Sequence, residues 1–242
     1  MLIQQGDERS GGADQKLACT LAAIAGALNA AAFQAVGFFS ANMTGNVSAL
    51  SDNLALGNLG IGGFLLAIVM IFIAGALVST LLINAGRRRR IHGIYAFSVL
   101  TEAILLAVLA LAAMWLPAGV RTAALILGLS FLMGLQNAVV TRISNARVRT
   151  THISGMSTDI GIELGMLIDM ARGREPRHDA GAVWAKLRLH GATVLSFLLG
   201  GIAGVMIYQW VGELLLLATA AILLLVSANG LVRAGRTASE ST

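Results

Sequence analysis

Two short polar motifs, each with a hydroxyl residue and a glycine, interrupt a chain that is otherwise strongly apolar. They read NMTGN at residues 42–46 and HISGM at residues 152–156. Glycine allows the backbone to turn sharply, and asparagine and threonine are good caps for a helix start. A break at each motif, followed by a new helix, would present free N–H groups and the positive end of the helix dipole. The chemistry predicted for the motifs is therefore coordination of a polar solute.

The composition places both motifs in a membrane protein. Hydrophobic residues make up 57% of the chain and charged residues 12%, and the mean hydropathy is +0.79. This leaves too little polar surface to cover a water-soluble globule. Six apolar runs reach the roughly 20 residues that a helix needs to cross the hydrocarbon core: residues 17–39, 59–83, 93–116, 122–140, 189–211 and 214–232. The sequence predicts an all-α membrane protein with six transmembrane helices.

The basic residues predict how the chain is oriented. With the N-terminus in the cytoplasm, 16 of the 17 arginines and lysines fall on the cytoplasmic side and only Arg121 falls outside. This is the asymmetry that the positive-inside rule describes. Residues 1–16 and 233–242 would then be cytoplasmic tails. The positive charge is explained by the anionic inner leaflet, so the lipid bilayer is the expected partner and nucleic acid is not.

The two motifs belong to a predicted internal repeat. Gly26 and Asn29 precede the first motif as Gly134 and Asn137 precede the second, at a constant offset of 108 residues. Further matches follow in the same order: Thr44-Gly45 with Ser154-Gly155, Leu56-Gly57 with Leu164-Gly165, and Ile-Ala-Gly at residues 73–75 with 202–204. Residues 17–116 and 117–232 would each hold three spans, so the second copy would be inverted, with a cytoplasmic loop inserted at residues 166–188. The alternative is that alanine-rich helices resemble one another by composition.

Polar side chains at and near the motifs are the candidates for binding the solute. Breaks at membrane depth usually line a pathway, which favours re-entrant segments; the alternative is two surface loops with ordinary helix caps. Amides also hold helices together, which is the structural alternative for the asparagines and the glutamine. The candidates are Asn29, Asn42, Thr44, Gly45, Asn46, Gln136, Asn137, Arg142, Thr151, Ser154 and Gly155.

Three acids are the candidates for proton coupling. Glu102 is the one charged residue inside a predicted span, where an ionisable group is costly; its alternative is a protonated carboxyl bonded to a neighbouring helix. A helix from about Ser157 would place Asp159 and Glu163 four residues apart on one face. Arg142 would pair with one of these acids, bind an anionic solute, or serve only as a topology charge.

Catalysis and cofactor binding are not predicted. His152 and Ser154 would point in different directions on a helix, and the four histidines include no i, i+4 pair. Cys19 is the single cysteine, which supports neither a disulfide framework nor a thiolate metal site. No Walker A sequence is present. We therefore expect a protein that is not an enzyme and holds no cofactor or metal.

Three segments resemble the signatures of the YoaK-like family, also called the DUF1275 family. They are GFFSANMTGN at residues 37–46, GLQNAVVTR at 134–142 and TTHISGMSTDIGIELG at 150–165. The resemblance covers roughly residues 16–232 and implies a bacterial inner-membrane protein with six helices that acts as a transporter. One position departs from the pattern: members often carry Asp where this chain has Asn29, which puts ion coupling at that site in doubt.

These observations together predict a secondary transporter, or a channel-like permease, for a small polar or charged solute, with proton coupling at the acids named above. The alternative is a non-transporting scaffold or regulatory protein that acts through its basic cytoplasmic loop. Gly200 and Gly204 form a GxxxG sequence. This predicts close helix approach within the chain or, alternatively, the interface of a homo-oligomer.

Overall fold

The computed structural model describes residues 1–2, 6 and 9–239. Within these residues the fold is all-α, and six helices are long and apolar enough to cross a membrane, as predicted. They are α1 (Gly11–Val36), α3 (Leu59–Arg88), α4 (Ile94–Trp115), α5 (Ala118–Ile143), α7 (Ala180–Val211) and α8 (Leu214–Ser239). Two shorter helices follow α1 and α5, namely α2 (Met43–Ala55) and α6 (Ile153–Ala171), and a 3-10 turn at Arg177–Asp179 precedes α7.

The first span ends earlier than its apolar run suggests. The run continues to Phe39, but α1 ends at Val36 because Gly37 adopts a left-handed conformation with φ of 76°. The Gly37 N–H donates to the Phe33 carbonyl at 2.8 Å, which closes the last turn. Phe38 and Phe39 therefore belong to the segment that follows the helix, where they are packed without being helical.

The second half is more helical than predicted. Helix α6 begins at Ile153 and not near Ser157, so the HISGM motif forms its first turn. The prediction of a loop at residues 166–188 was wrong, because α6 continues to Ala171 and α7 begins at Ala180. Helix α8 likewise runs on into the predicted C-terminal tail. The apolar runs marked only the lipid-crossing part of each helix, whereas the helices extend past it with polar residues.

The long helices pack in three main pairs: α1 against α7, α3 against α5, and α4 against α8. Helix α2 lies on α3, and α6 lies on α7. If the first four helices are matched in order with the last four, the α1–α7 pair corresponds to the α5–α3 pair, and α2–α3 corresponds to α6–α7. This is the contact pattern expected of two equivalent halves.

Glycines bring the paired helices into backbone contact. At each of these positions a Cβ atom would overlap the partner helix, and small residues are the usual means of such close approach in membranes. The contacts are Gly26 on Phe197, Gly200 on Ala23, Gly204 on Ala27, Gly134 on Phe72, and Gly75 on Phe131. The GxxxG sequence of α7 therefore packs on α1 within the chain.

The same glycine contacts set the register between the two halves. Phe197 and Gly200 make the contacts that Phe72 and Gly75 make in the other half, and each lies 125 residues further along the chain (197 from 72, 200 from 75). The Ile-Ala-Gly match in the sequence has an offset of 129 residues (202 from 73). That alignment of α3 with α7 was one helical turn out of register.

One end of the bundle, called the basic end below, carries most of the arginines. There the end of α5 meets the end of α3, where Arg142 Nη2 donates to Asn84 Oδ1 at 2.6 Å. The start of α4 joins them, since the Tyr95 hydroxyl donates to the Arg142 carbonyl at 3.3 Å. At the opposite end Arg121 lies 3.6 Å from Glu213. The charge asymmetry of the sequence thus corresponds to the two ends of the bundle.

Residues before and at the start of α1 fold onto the basic end. The Asp14 side chain is 5% exposed and accepts from Arg9 Nε at 2.5 Å and from Arg147 Nε at 2.9 Å. Arg9 also donates to the Met1 carbonyl at 2.9 Å, and Leu2 is buried in the main core. The described part of the predicted N-terminal tail is therefore packed against the bundle.

Candidate functional site

The segment after α1 turns back into the bundle. The Ala41 N–H donates to Asn29 Oδ1 at 2.8 Å, and this contact is buried. Asn29 lies seven residues before the end of α1 at Val36, which is a distance of about 10 Å along the helix axis. The NMTGN motif therefore begins well inside the level at which α1 ends, as a re-entrant segment would.

The segment after α5 returns in the same way. The Thr151 hydroxyl donates to Asn137 Oδ1 at 2.9 Å, and Asn137 lies six residues before the end of α5 at Ile143. The Asn137 amide also donates to the Met133 carbonyl at 2.7 Å, which fixes the orientation of the side chain. The two span asparagines thus hold the two motifs at the same relative position in each half.

A side chain packs closely over the glycine at the start of each short helix. Asn42 caps α2 by accepting from the Gly45 N–H at 3.1 Å, and His152 occupies the corresponding position of α6 without making a side-chain cap. A Cβ atom on Gly45 would overlap the Asn42 side chain, and one on Gly155 would overlap the His152 ring. A side chain at either position would therefore require Asn42 or His152 to move from the place it holds over the first turn.

Both motifs face one cavity of about 650 Å³, called the central cavity. Its wall includes Phe72 and Phe197, which occupy equivalent places on α3 and α7. Seven of the eleven predicted binding residues line it: Asn29, Asn42, Thr44, Gly45, Asn137, Thr151 and Ser154. The start of α2 and the start of α6 therefore both open onto the same space.

Comparison with known proteins identifies the family of this chain. Residues 17–229 match the family described as a protein of unknown function, DUF1275. The chain belongs to the DUF1275 family. No curated protein and no solved structure matches it. The DUF1275 match covers both motifs and both span asparagines, so the predicted membership of the DUF1275 family is confirmed.

Four of the predicted binding residues of this DUF1275 chain lie outside the central cavity. Asn46 is buried, and its amide donates to the Phe39 carbonyl at 3.1 Å, which braces the segment between α1 and α2. Gln136 points the other way around α5 from Asn137 and donates to Glu102 at 2.9 Å. Arg142 bonds Asn84 and not Asp159 or Glu163, because it leaves α5 on the side of α3.

A second pocket, called the vestibule, adjoins the central cavity on the side of the basic end. It has a volume of about 390 Å³ and shares Arg149 and His152 with the central cavity. Gly155, the fourth predicted binding residue outside the cavity, lines it, as does Asp159. Arg149 and His152, which lie between α5 and α6, therefore stand between the two spaces.

The sequence reasoning missed Arg149 and the aromatic walls. Arg149 stands three residues before His152, at the position that Phe39 occupies before Asn42 in the first half. Phe39 lines the same cavity and is stacked on Phe33, with ring centroids 4.4 Å apart. Extending the motif comparison three residues upstream would have found both positions, since they are the first point at which the two copies differ in charge.

The three predicted acids occupy different environments. Glu102 is fully buried between α4 and α5, where Oε1 accepts from Gln136 and Oε2 has no partner among the described residues. Glu163 is buried, with Oε1 at 3.0 Å from His190 Nδ1 but without hydrogen-bond alignment, and its Oε2 also has no described partner. Asp159 is exposed in the vestibule. Asp159 therefore faces solvent and Glu163 faces α7, so the two acids do not share one environment as expected.

Proposed function

We propose that this chain is a secondary transporter or channel-like permease for a small polar or charged solute, which binds in the central cavity. The observation that carries the proposal is that both motifs and both span asparagines line a single cavity. Irregular backbone at membrane depth is tolerated where it lines a cavity, and transporters place solute sites between such broken elements. A cavity of about 650 Å³ is within the range of small-molecule sites.

The proposal includes an inverted relation between two three-span halves. It is supported by the matched helix pairs, by the matched glycine contacts of Gly26 and Gly134, and by the matched hydrogen bonds of Asn29 and Asn137. Two such halves can rock about a fixed central site, which is the usual basis of alternating access. We place the protein in the bacterial inner membrane with its basic end on the cytoplasmic side, following the positive-inside rule.

Flux measurements on glycine variants test the proposal. Gly45→Ala and Gly155→Ala would force the Asn42 and His152 side chains, which line the cavity, to move, so we expect uptake into proteoliposomes to fall by about tenfold or more, since small misplacements in a binding site cost this much. The controls are Gly161→Ala and Gly60→Ala, whose added Cβ atoms would meet no heavy atom within 4 Å. Absence of flux for a broad panel of solutes with the wild-type chain would contradict the proposal.

Proton coupling is a separate part of the proposal and is placed at Glu163 with His190. Their approach connects α6 to α7, and a carboxylate with one oxygen lacking a partner is a natural place for a proton. We expect Glu163→Gln to abolish accumulation driven by a pH gradient while leaving equilibrium exchange intact. The matched control is Glu175→Gln, an exposed acid in the connection between α6 and α7. Equal loss of both kinds of flux would show that Glu163 is only structural.

A further inference from the structure

The central cavity has a marked charge asymmetry. Among the described residues that line it, Arg149 is a cation and none is an aspartate or glutamate. The Arg149 guanidinium makes no hydrogen bond or ion pair with any described residue. Asp159, which lines the neighbouring vestibule together with Arg149, forms no ion pair with it. An arginine that lines a cavity without a protein partner is available to a ligand.

The two short helices add to the positive potential of this cavity. The first turns of α2 and α6 both line it, and α6 has no side-chain cap, so its first N–H groups lack a side-chain acceptor. The positive ends of both helix dipoles therefore point into the same space as Arg149. Phe39, Phe72 and Phe197 form the apolar walls of the cavity, and Arg149 is exposed at its opening.

The geometry points to a solute with a small oxyanion group, a carboxylate or a phosphate, held between Arg149 and the starts of α2 and α6. A guanidinium group binds such groups through two parallel hydrogen bonds, and helix starts supply further N–H donors. This inference rests on the proposed function and specifies the solute class of the same site. Arg149 is then the residue that gives the cavity its preference for anions.

Thiol labelling measures the potential of the cavity without knowledge of the solute. A Ser154→Cys variant in a Cys19→Ser background carries one thiol at the cavity wall. It is treated with two methanethiosulfonate reagents of similar size, the anionic sulfonatoethyl and the cationic trimethylammonioethyl compound. Relative to a free thiol, we expect the anionic reagent to be favoured by about tenfold, the lower range of electrostatic focusing in a cleft.

Charge variants identify the source of that preference. Arg149→Gln is expected to remove most of the tenfold ratio, whereas Arg149→Lys retains it. Arg88→Gln, an exposed arginine at the end of α3 that lines neither space, is the matched control and leaves the ratio unchanged. Labelling is repeated with His152→Asn so that the imidazole cannot supply the charge. A ratio near one in the parent variant, or a ratio that Arg149→Gln does not alter, overturns the inference.

Flux assays separate this inference from the proposed function. Proteoliposomes are tested with acetate, succinate and inorganic phosphate, which distinguish carboxylate from phosphate, and with glycerol as a neutral probe. Anion flux that Arg149→Gln reduces by tenfold or more supports both ideas. Glycerol flux equal to acetate flux, together with a labelling ratio near one, contradicts the anion preference but leaves transport standing. No flux with a normal labelling ratio contradicts transport and leaves the anion site.

Discussion

Gly26→Val is expected to destabilise the folded bundle by about 3 kcal/mol, the upper part of the range for overpacking a core. The Gly26 Cα lies against the backbone of Phe197, so the added side chain cannot be accommodated by rotating a neighbour and must push α1 away from α7. Gly134→Val is expected to cost a similar amount, because Gly134 meets the backbone of Phe72 in the same way. Both effects are measured as a lower midpoint of thermal unfolding in detergent, with the loss of monodisperse protein as the readout.

Gly191→Val is the matched control for this prediction. Gly191 lies on α7, but a Cβ atom there would meet no heavy atom within 4 Å. Glycine and valine differ by only a few tenths of a kcal/mol in helix propensity, so the midpoint of unfolding should hardly change. If Gly26→Val and Gly191→Val gave the same midpoint, α1 and α7 would not cross at Gly26.

Asp14→Ala is expected to cost about 3 kcal/mol or more, the loss associated with removing one partner of a buried ion pair. Its carboxylate lies between the guanidinium groups of Arg9 and Arg147, and the Arg9 side chain is fully buried. The variant therefore leaves two positive charges close together at the basic end. We expect a lower unfolding midpoint and faster proteolysis of the chain before α1.

Asp169→Ala provides the comparison. Asp169 approaches Arg174 at 3.6 Å, but both side chains are largely exposed, and such surface pairs contribute about 1 kcal/mol or less. The Asp14 variant should therefore be clearly the less stable of the two. Equal midpoints would mean that the segment before α1 does not pack on the bundle as described.

The sequence predicted the spans and the start of α2 well because both depend on local signals, whereas α6 begins four residues earlier than expected. Apolar length identifies a membrane-crossing helix, and the asparagine, hydroxyl and glycine of NMTGN identify the capped start of α2. The equivalence of Asn29 and Asn137 in the two halves also followed from the sequence, since their offset of 108 residues matches that of Gly26 and Gly134. These features need no knowledge of how the helices are arranged.

The errors concern direction around a helix and extent along it. Arg142 and Arg149 look equivalent as basic residues after the fourth span, yet Arg142 faces Asn84 and Arg149 faces the cavity. Gln136 and Asn137 are neighbours in sequence but point to different sides of α5. Packing between helices determines these directions, and a single sequence with a short repeat does not encode them visibly.

The proposed role for the two motifs explains why each contains a glycine at the third helical position. A side chain there would move Asn42 or His152, and with it the polar wall that the solute meets. The two halves also differ in the residue that lies three positions before the motif. Phe39 lies where the second half has Arg149, so at this position the first half lines the cavity with an aromatic ring and the second half with a guanidinium group.

The central claim, that the two motifs face each other across one cavity, is tested most directly by cross-linking within the chain. A Thr44→Cys/Ser154→Cys double variant in the Cys19→Ser background is treated in the membrane with a short bifunctional thiol reagent, and the link is read by mass spectrometry. The account predicts an intramolecular cross-link between these two residues and none between Thr44→Cys and Leu164→Cys, which lies on α6 away from the cavity. If the reagent modified each cysteine separately but never linked the two, the result would contradict the account.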